Sequence, residues 1–206
     1  MAVSRAREVQ RFRYQNHRFE RMPGMGMLLD AFAAVDCDTA RAVALRGEQP
    51  ACGPNCYQCC IQPIPATPLE ILALRIFVEQ AHAPENRAAQ TKAFAPFCGE
   101  KTSLAAACPF LREKCCAVYP VRPMACRRYI VFDHPCQTGE DATQTRPDHV
   151  LQPGQQSLQA ALRHTLPWYR QHYSLPEHMT PEETLGFFRR VTTVLQAVPW
   201  ARFFSP

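Results

Sequence analysis

Glycine is scarce in this chain, with 8 in 206 residues. That is a poor supply for the loops that bring backbone N–H groups up to a phosphate. Neither G-x-G-x-x-G nor a Walker loop occurs, and G-x-S-x-G and H-E-x-x-H are missing as well. The common nucleotide-binding, hydrolase and zinc-peptidase grammars are therefore absent. No apolar run approaches the ~18 residues that a membrane span needs. The opening MAVSRAREVQRFRYQNHRF puts charge where a secretory leader needs an apolar core. The chain is accordingly expected in the cytoplasm and off the membrane. Its net charge is a mild +5, and the RNP pattern and C2H2 finger spacing are lacking, which argues against nucleic acid as a partner. A protein or small-molecule partner is left unidentified, and enzymatic activity is left open.

Cysteine and proline are what the chain has in excess, 11 and 19 residues respectively. An odd number of cysteines leaves at least one thiol outside any internal disulfide. In a reducing compartment clustered cysteines read as metal ligands or catalytic groups. A length of 206 residues favours one domain, 1–206, large enough to bury a core without disulfides.

Residues 1–26 hold Arg5, Arg7, Arg11, Arg13, Arg18 and Arg21 and read as a basic N-terminal arm, tempered by Glu8 and Glu20. The periodicity of Leu28, Leu29, Phe32, Val35 and Val43 predicts a helix over 28–45, with Gly47 as its stop. Thr67-Pro68-x-Glu70 predicts a capping box opening a helix to about Ala81. A shorter, more polar helix follows from Pro84. Over 98–136 the chain reads as irregular, with VYPVRP and RRYIVFD as short strands. TGEDATQTRPDHVLQPGQ reads as a long surface loop. The region 153–200 reads as C-terminal helices: SLQAALRHTLPWYRQHY, ended or kinked at Pro167, and TLGFFRRVTTVLQAV, opened by a second capping box at Thr180. The fold class expected is mainly α, a helical scaffold around an irregular cysteine-rich centre with short strands.

All cysteines but Cys37 lie between 52 and 136. CGPNCYQCC supplies Cys52, Cys56, Cys59 and Cys60. Cys56-x-x-Cys59 is a metal-knuckle spacing, in which two thiolates from one turn reach one ion. The adjacent pair Cys59–Cys60 is awkward for a single small tetrahedral ion, because neighbouring side chains diverge. A disulfide between them is strained too, since Cα atoms ~3.8 Å apart fall short of the usual ~4.4–6.8 Å. The pair makes sense serving two metals, or two metals of one cluster, which predicts a second ligand set. CPFLREKCCAVYPVRPMACRR supplies it: Cys108, Cys115 or Cys116, and Cys126, with Cys136 beyond. Two sets of four thiols fill two zinc sites or two iron–sulfur clusters. Cys98 could replace one of these ligands, and His134 could complete a site with Cys136. Cys37 reads as a packed thiol.

The combination Cys52-x3-Cys56-x2-Cys59-Cys60, a helix with an early Glu70, Cys108-Pro109-Phe110-Leu111, Cys116-x-Val118-Tyr119, Arg122-Pro123 and Cys126-Arg127 resembles the YkgJ-type cysteine-cluster family. Its members are described as zinc- or iron-chelating. The resemblance covers residues 52–127 and favours Cys116 over Cys115. Related cysteine signatures occur in a flagellin lysine N-methylase with an implied iron–sulfur cluster, a longer chain whose reaction does not carry over. The expected metal ligands are Cys52, Cys56, Cys59, Cys60, Cys108, Cys116, Cys126 and Cys136, holding an iron–sulfur cluster or zinc. All-thiolate sites concentrate negative charge. Arg112, Lys114, Arg122, Arg127 and Arg128 offset it, and Arg122 or Arg127 could bind an anionic group through the planar guanidinium.

Overall fold

A 22-residue helix, α1 (Met25–Arg46), forms the spine. Met25, Leu28, Leu29, Phe32 and Val35 recur at helical spacing and are buried. It ends where the sequence predicts, at Gly47, whose φ of 73° only glycine adopts readily; the Gly47 N–H caps the Val43 carbonyl. This computed structural model describes residues 19, 21–53, 56–81, 87–97, 106–151 and 155–204. The arm up to residue 18, the turn residues Pro54 and Asn55, His82 and Cys98 lie outside the described residues.

The second helix, α2 (Pro68–Ala81), opens with the expected capping box. The Glu70 carboxylate accepts from the Thr67 N–H at 2.7 Å, and the Thr67 hydroxyl faces the Glu70 N–H at 3.5 Å. Next comes α3 (Arg87–Phe94). A short α4 (Met124–Arg128) and α5 (Ala142–Thr145) lie in the cysteine-rich half. Two long C-terminal helices, α6 (Gln155–Tyr173) and α7 (Pro181–Val191), precede a final turn, α8 (Trp200–Phe203). The main packing contact of α1 is α6. At the start of α1 the close approach requires Gly24. Its φ is +83°, and a Cβ there would stand 2.5 Å from Trp168 of α6 and 2.9 Å from Leu69 of α2.

Strands are two-residue pairs, all antiparallel. β1 (Pro65–Ala66) pairs with β6 (Thr193–Val194), β2 (Leu111–Arg112) with β3 (Cys115–Cys116), and β4 (Ile130–Val131) with β5 (Val150–Leu151). The mainly helical class with short strands is what the sequence predicts.

Of the two outcomes expected at Pro167, an end to the helix does not occur: α6 continues past it, with Leu166 and Tyr169 buried on either side. Three local expectations are corrected. The last helix stops at Val191, where the β-branched run Val191-Thr192-Thr193-Val194 leaves helix for the pairing with β1. Tyr119–Val121 is a 3₁₀ turn and not a strand. The polar stretch 137–151 is no open loop. Asp141 caps α5 through the Thr143 N–H, and Glu140 gathers the Gln137 N–H, the Thr145 hydroxyl and the Arg146 guanidinium.

Buried side chains fall into two clusters. The larger joins α1, α2, α6 and α7 with the aromatics Phe94, Phe110, Trp200 and Phe204, and Cys60, Cys108, Cys116 and Cys126 pack in or against it. The smaller is Val131, Ala142 and Val150, and Cys52, Tyr129 and Cys136 pack against that.

Candidate metal centre

The cysteine loop is pinned at its start to β4. The Ala51 N–H donates to the Val131 carbonyl at 2.7 Å, and the Val131 N–H donates back to the Cys52 sulfur at 3.3 Å. The Cys56 N–H then bonds the Gly53 carbonyl. A 3₁₀ turn over Gln58–Ile61 carries Cys59 and Cys60. It is a consequence of the backbone bond from Cys60 N–H to the Tyr57 carbonyl, 2.8 Å. This turn meets the second cysteine segment directly, because the Cys108 N–H donates to the Cys60 carbonyl at 2.6 Å.

Hairpin β2–β3 sorts the next two thiols. Successive strand residues face opposite sides, so Cys115, opposite Arg112, is exposed while Cys116, opposite Leu111, turns inward. Cys126 sits on α4, and the first N–H of that helix, from Met124, is held by Glu70 at 2.7 Å. One oxygen of Glu70 thus serves the α2 cap and the other the cysteine helix. The carboxyl is 2% exposed. Burial raises its pKa, against the opposing pull of the Met124 and Thr67 N–H donors.

Gln196, fully buried, clamps both cysteine segments from the C-terminal side. Its amide donates to the carbonyls of Gln62 (2.9 Å) and Ala106 (3.3 Å) and accepts from the Ile64 N–H (3.3 Å). Those residues flank Cys60 and Cys108. Sequence reasoning missed Gln196. The available signal was a lone amide inside the apolar run VLQAV, since a polar group in such a place needs buried partners.

Burial pushes the thiols toward their neutral form. Cys52 is pushed up to about 11 and Cys108 to about 12, burial being the main cause in both. Cys116, Cys126 and Cys136 are raised as well, also chiefly by burial. Cys59 is raised first by its hydrogen bond with Cys60 and then by burial. The mutual repulsions separate by group. Cys52 feels Cys56, Cys59 and Cys136, while Cys126 feels Cys108, Cys59 and Cys116. Cys59 reaches both. Among the described residues no three cysteine, histidine or acidic side chains already stand as a closed metal-holding group. The donors that the structure gathers are nonetheless all sulfur, a set suited to zinc or iron. Loading them would displace protons and draw the thiols in.

The two arginines differ in what they do. Arg127 is committed to the fold. Its side chain is 1% exposed, pairs with Asp36 of α1 at 2.7 Å, donates to the Arg122 and Pro120 carbonyls and lies over the Phe32 ring. Arg122 lies over the exposed Tyr119 ring at 3.9 Å and lowers the pKa of Cys59 and Cys116 by its charge. His134 is exposed and held by Asp133 at 2.6 Å. Cys37 is half-buried on α1.

Residues 51–149 match the model of the CxxCxxCC family, described as a "Putative zinc- or iron-chelating domain". This is the model of the YkgJ-type family, and the match covers the cysteine-rich part of the chain. No curated protein and no solved structure matches the chain. The matched span contains all the gathered thiols. Gln196, Asp36 and the helices α1, α6 and α7 that frame them lie outside it. No helix among the described residues is long and apolar enough to cross a membrane.

Proposed function

We propose that this chain is a metal-binding protein that retains iron, as iron–sulfur, through Cys52, Cys56, Cys59, Cys60, Cys108, Cys116, Cys126 and Cys136, for a redox or protein-modifying role. The observation that carries this reading is the Cys59–Cys60 step. The two thiols share a hydrogen bond, and Cys59 also feels thiols from both segments. Two neighbouring thiols within reach of each other, one of them also coupled to thiols of both segments, suit a polynuclear centre. Soft thiolates favour such centres, and N–H donors to sulfur, as Val131 supplies to Cys52, tune them. Arg122, stacked on the exposed Tyr119 ring and close enough to Cys59 to act on it by charge, would serve to meet an anionic partner molecule beside the thiols. The discriminating experiment is metal and acid-labile sulfide analysis, with an absorption spectrum, on protein purified without oxygen. Iron and sulfide in equal amounts, with visible absorption, are expected. A colourless protein with stoichiometric zinc and no sulfide would overturn the iron reading.

That outcome would support a second reading, a structural zinc protein whose product is a binding surface. It is favoured by the packing of Cys60, Cys108, Cys116 and Cys126 against the main apolar cluster, where a metal would staple the irregular half to the helices.

A further inference from the structure

The C-terminal stretch grips both cysteine segments, although it lies outside the span that the family model matches. On the side of the first segment, β6 pairs with β1. Both backbone groups of Ile64 are held there: its carbonyl accepts from the Leu195 N–H at 2.9 Å, and its N–H donates to the Gln196 carboxamide oxygen at 3.3 Å. On the side of the second segment, the buried Trp200 stands edge-on to Phe110, with ring centroids 4.8 Å apart. Gln196 reaches both sides. Its amide nitrogen donates to the Gln62 carbonyl at 2.9 Å and to the Ala106 carbonyl at 3.3 Å.

Those two carbonyls stand in a definite relation to the thiols. The segments meet through the bond from the Cys108 N–H to the Cys60 carbonyl, 2.6 Å. Gln62 lies two residues after Cys60, and Ala106 two residues before Cys108. They are therefore the next pair in an antiparallel register that runs through Cys60 and Cys108. At that pair two carbonyls face Gln196, and one side-chain amide supplies the donor to both. A slip of one residue would turn the side chains of one segment to the other side.

We infer that Gln196 is a positioning residue of the metal centre: by bridging Gln62 and Ala106 it fixes the register of one cysteine segment against the other, so that thiols of both segments close on one centre. Its carboxamide is spent on backbone, so it acts through Cys60 and Cys108 and not as a ligand. The centre therefore depends on a residue beyond the matched span.

This inference rests on the metal-binding reading above, and its test separates the two. The probe is Co(II), whose charge-transfer absorption grows with the number of thiolates bound, titrated anaerobically into the metal-free full-length chain. Gln196→Met keeps the size and loses every hydrogen bond; Gln196→Glu keeps an acceptor for Ile64 and, when ionised, loses both donors. Phe187→Leu is the comparison, because its ring packs on Tyr169, Tyr173 and Phe188 and it lowers stability through α6 and α7. Under conditions where the variants stay folded, both Gln196 variants should bind Co(II) about tenfold or more weakly, with less thiolate absorption per metal. Phe187→Leu should keep both. Unchanged affinity and absorption in a folded Gln196 variant overturns the inference, as does an equal loss in Phe187→Leu. The unmodified metal-free protein supplies a reading that needs no variant: the Cys108 amide hydrogen should be strongly protected from exchange. Exchange there at the rate of an open loop overturns the inference. Unmodified protein that takes up none of Co(II), zinc or iron overturns the metal-binding reading itself.

Discussion

The thiols around Cys108 and those around Cys52 are chemically alike and structurally unlike. The Cys108 thiol is set into the main core, whose neighbourhood is reached by bonds from distant residues 36, 70 and 196. Cys52 and Cys136 are set on three small aliphatic side chains, and their ties, such as the Val131 N–H to Cys52, also join distant stretches of chain. Thiols of one chemistry are thus given two packing environments by what the surrounding chain can bury.

The strongest way to break this contrast is to cut the bonds on the core side. Arg127→Met removes the ion pair with Asp36 and frees the Arg122 and Pro120 carbonyls. Breaking such a pair costs about 3 kcal/mol, read as a lower urea midpoint. Glu70→Ala removes a capping box and leaves the buried Met124 N–H without its acceptor. The sum is about 2–4 kcal/mol. Gln196→Leu removes three bonds to backbone flanking Cys60 and Cys108, for about 2–3 kcal/mol. In each variant Cys108 should react faster with a thiol reagent while Cys52 keeps its rate; if Cys52 is accelerated as much as Cys108, the two environments are not independent.

Acidity sharpens the comparison in the metal-free chain. Both Cys52 and Cys108 have folded-state values above the ordinary ~8.5 of a thiol, about 11 and about 12. A raised folded value means that the neutral thiol contributes stability in full below pH ~8.5. That contribution is lost as pH climbs toward 11 for Cys52 and toward 12 for Cys108. The urea midpoint of metal-free protein should therefore fall above pH ~8.5. Thiolate absorption from these two groups should appear only well above the ordinary thiol range, so that Cys52→Ala and Cys108→Ala each remove part of the late ultraviolet rise.

Much of the scaffold was legible because it obeys local rules. The Gly47 stop, the Thr67–Glu70 and Thr180–Glu183 capping boxes and the apolar stripe of α1 are all statements about neighbours in sequence. The candidate thiols were legible from spacing and resemblance. Their division into groups was not, because it follows from which apolar cluster each approaches, and that depends on partners more than 70 positions apart such as Cys52 and Val131. The same reason hid the fate of Arg127. A sequence shows a cation near cysteines, but not the aspartate on α1 that occupies it. Residues 137–151 were misread because polar composition usually marks open loop. Here the carboxylate of Glu140 organises the polar groups, and Arg146 chiefly holds it down to a pKa of about 2.

The smallest effect is expected at a strained turn. Between β2 and β3, Glu113 and Lys114 have φ of 48° and 64°, the left-handed region that a two-residue hairpin turn demands and that Asn-Gly fills best. Neither residue suits it. Exchanging them, Glu113→Asn with Lys114→Gly, should raise stability by about 1 kcal/mol, read in urea unfolding. The hairpin carries Cys116 toward the main core, and the bonds from residues 36, 70 and 196 do not pass through it, so the reactivity of Cys116 toward a thiol reagent should be unchanged. A large fall in that reactivity would show instead that the strain of this turn is transmitted to the Cys116 thiol, and that this part of the core is less rigidly set than its burial implies.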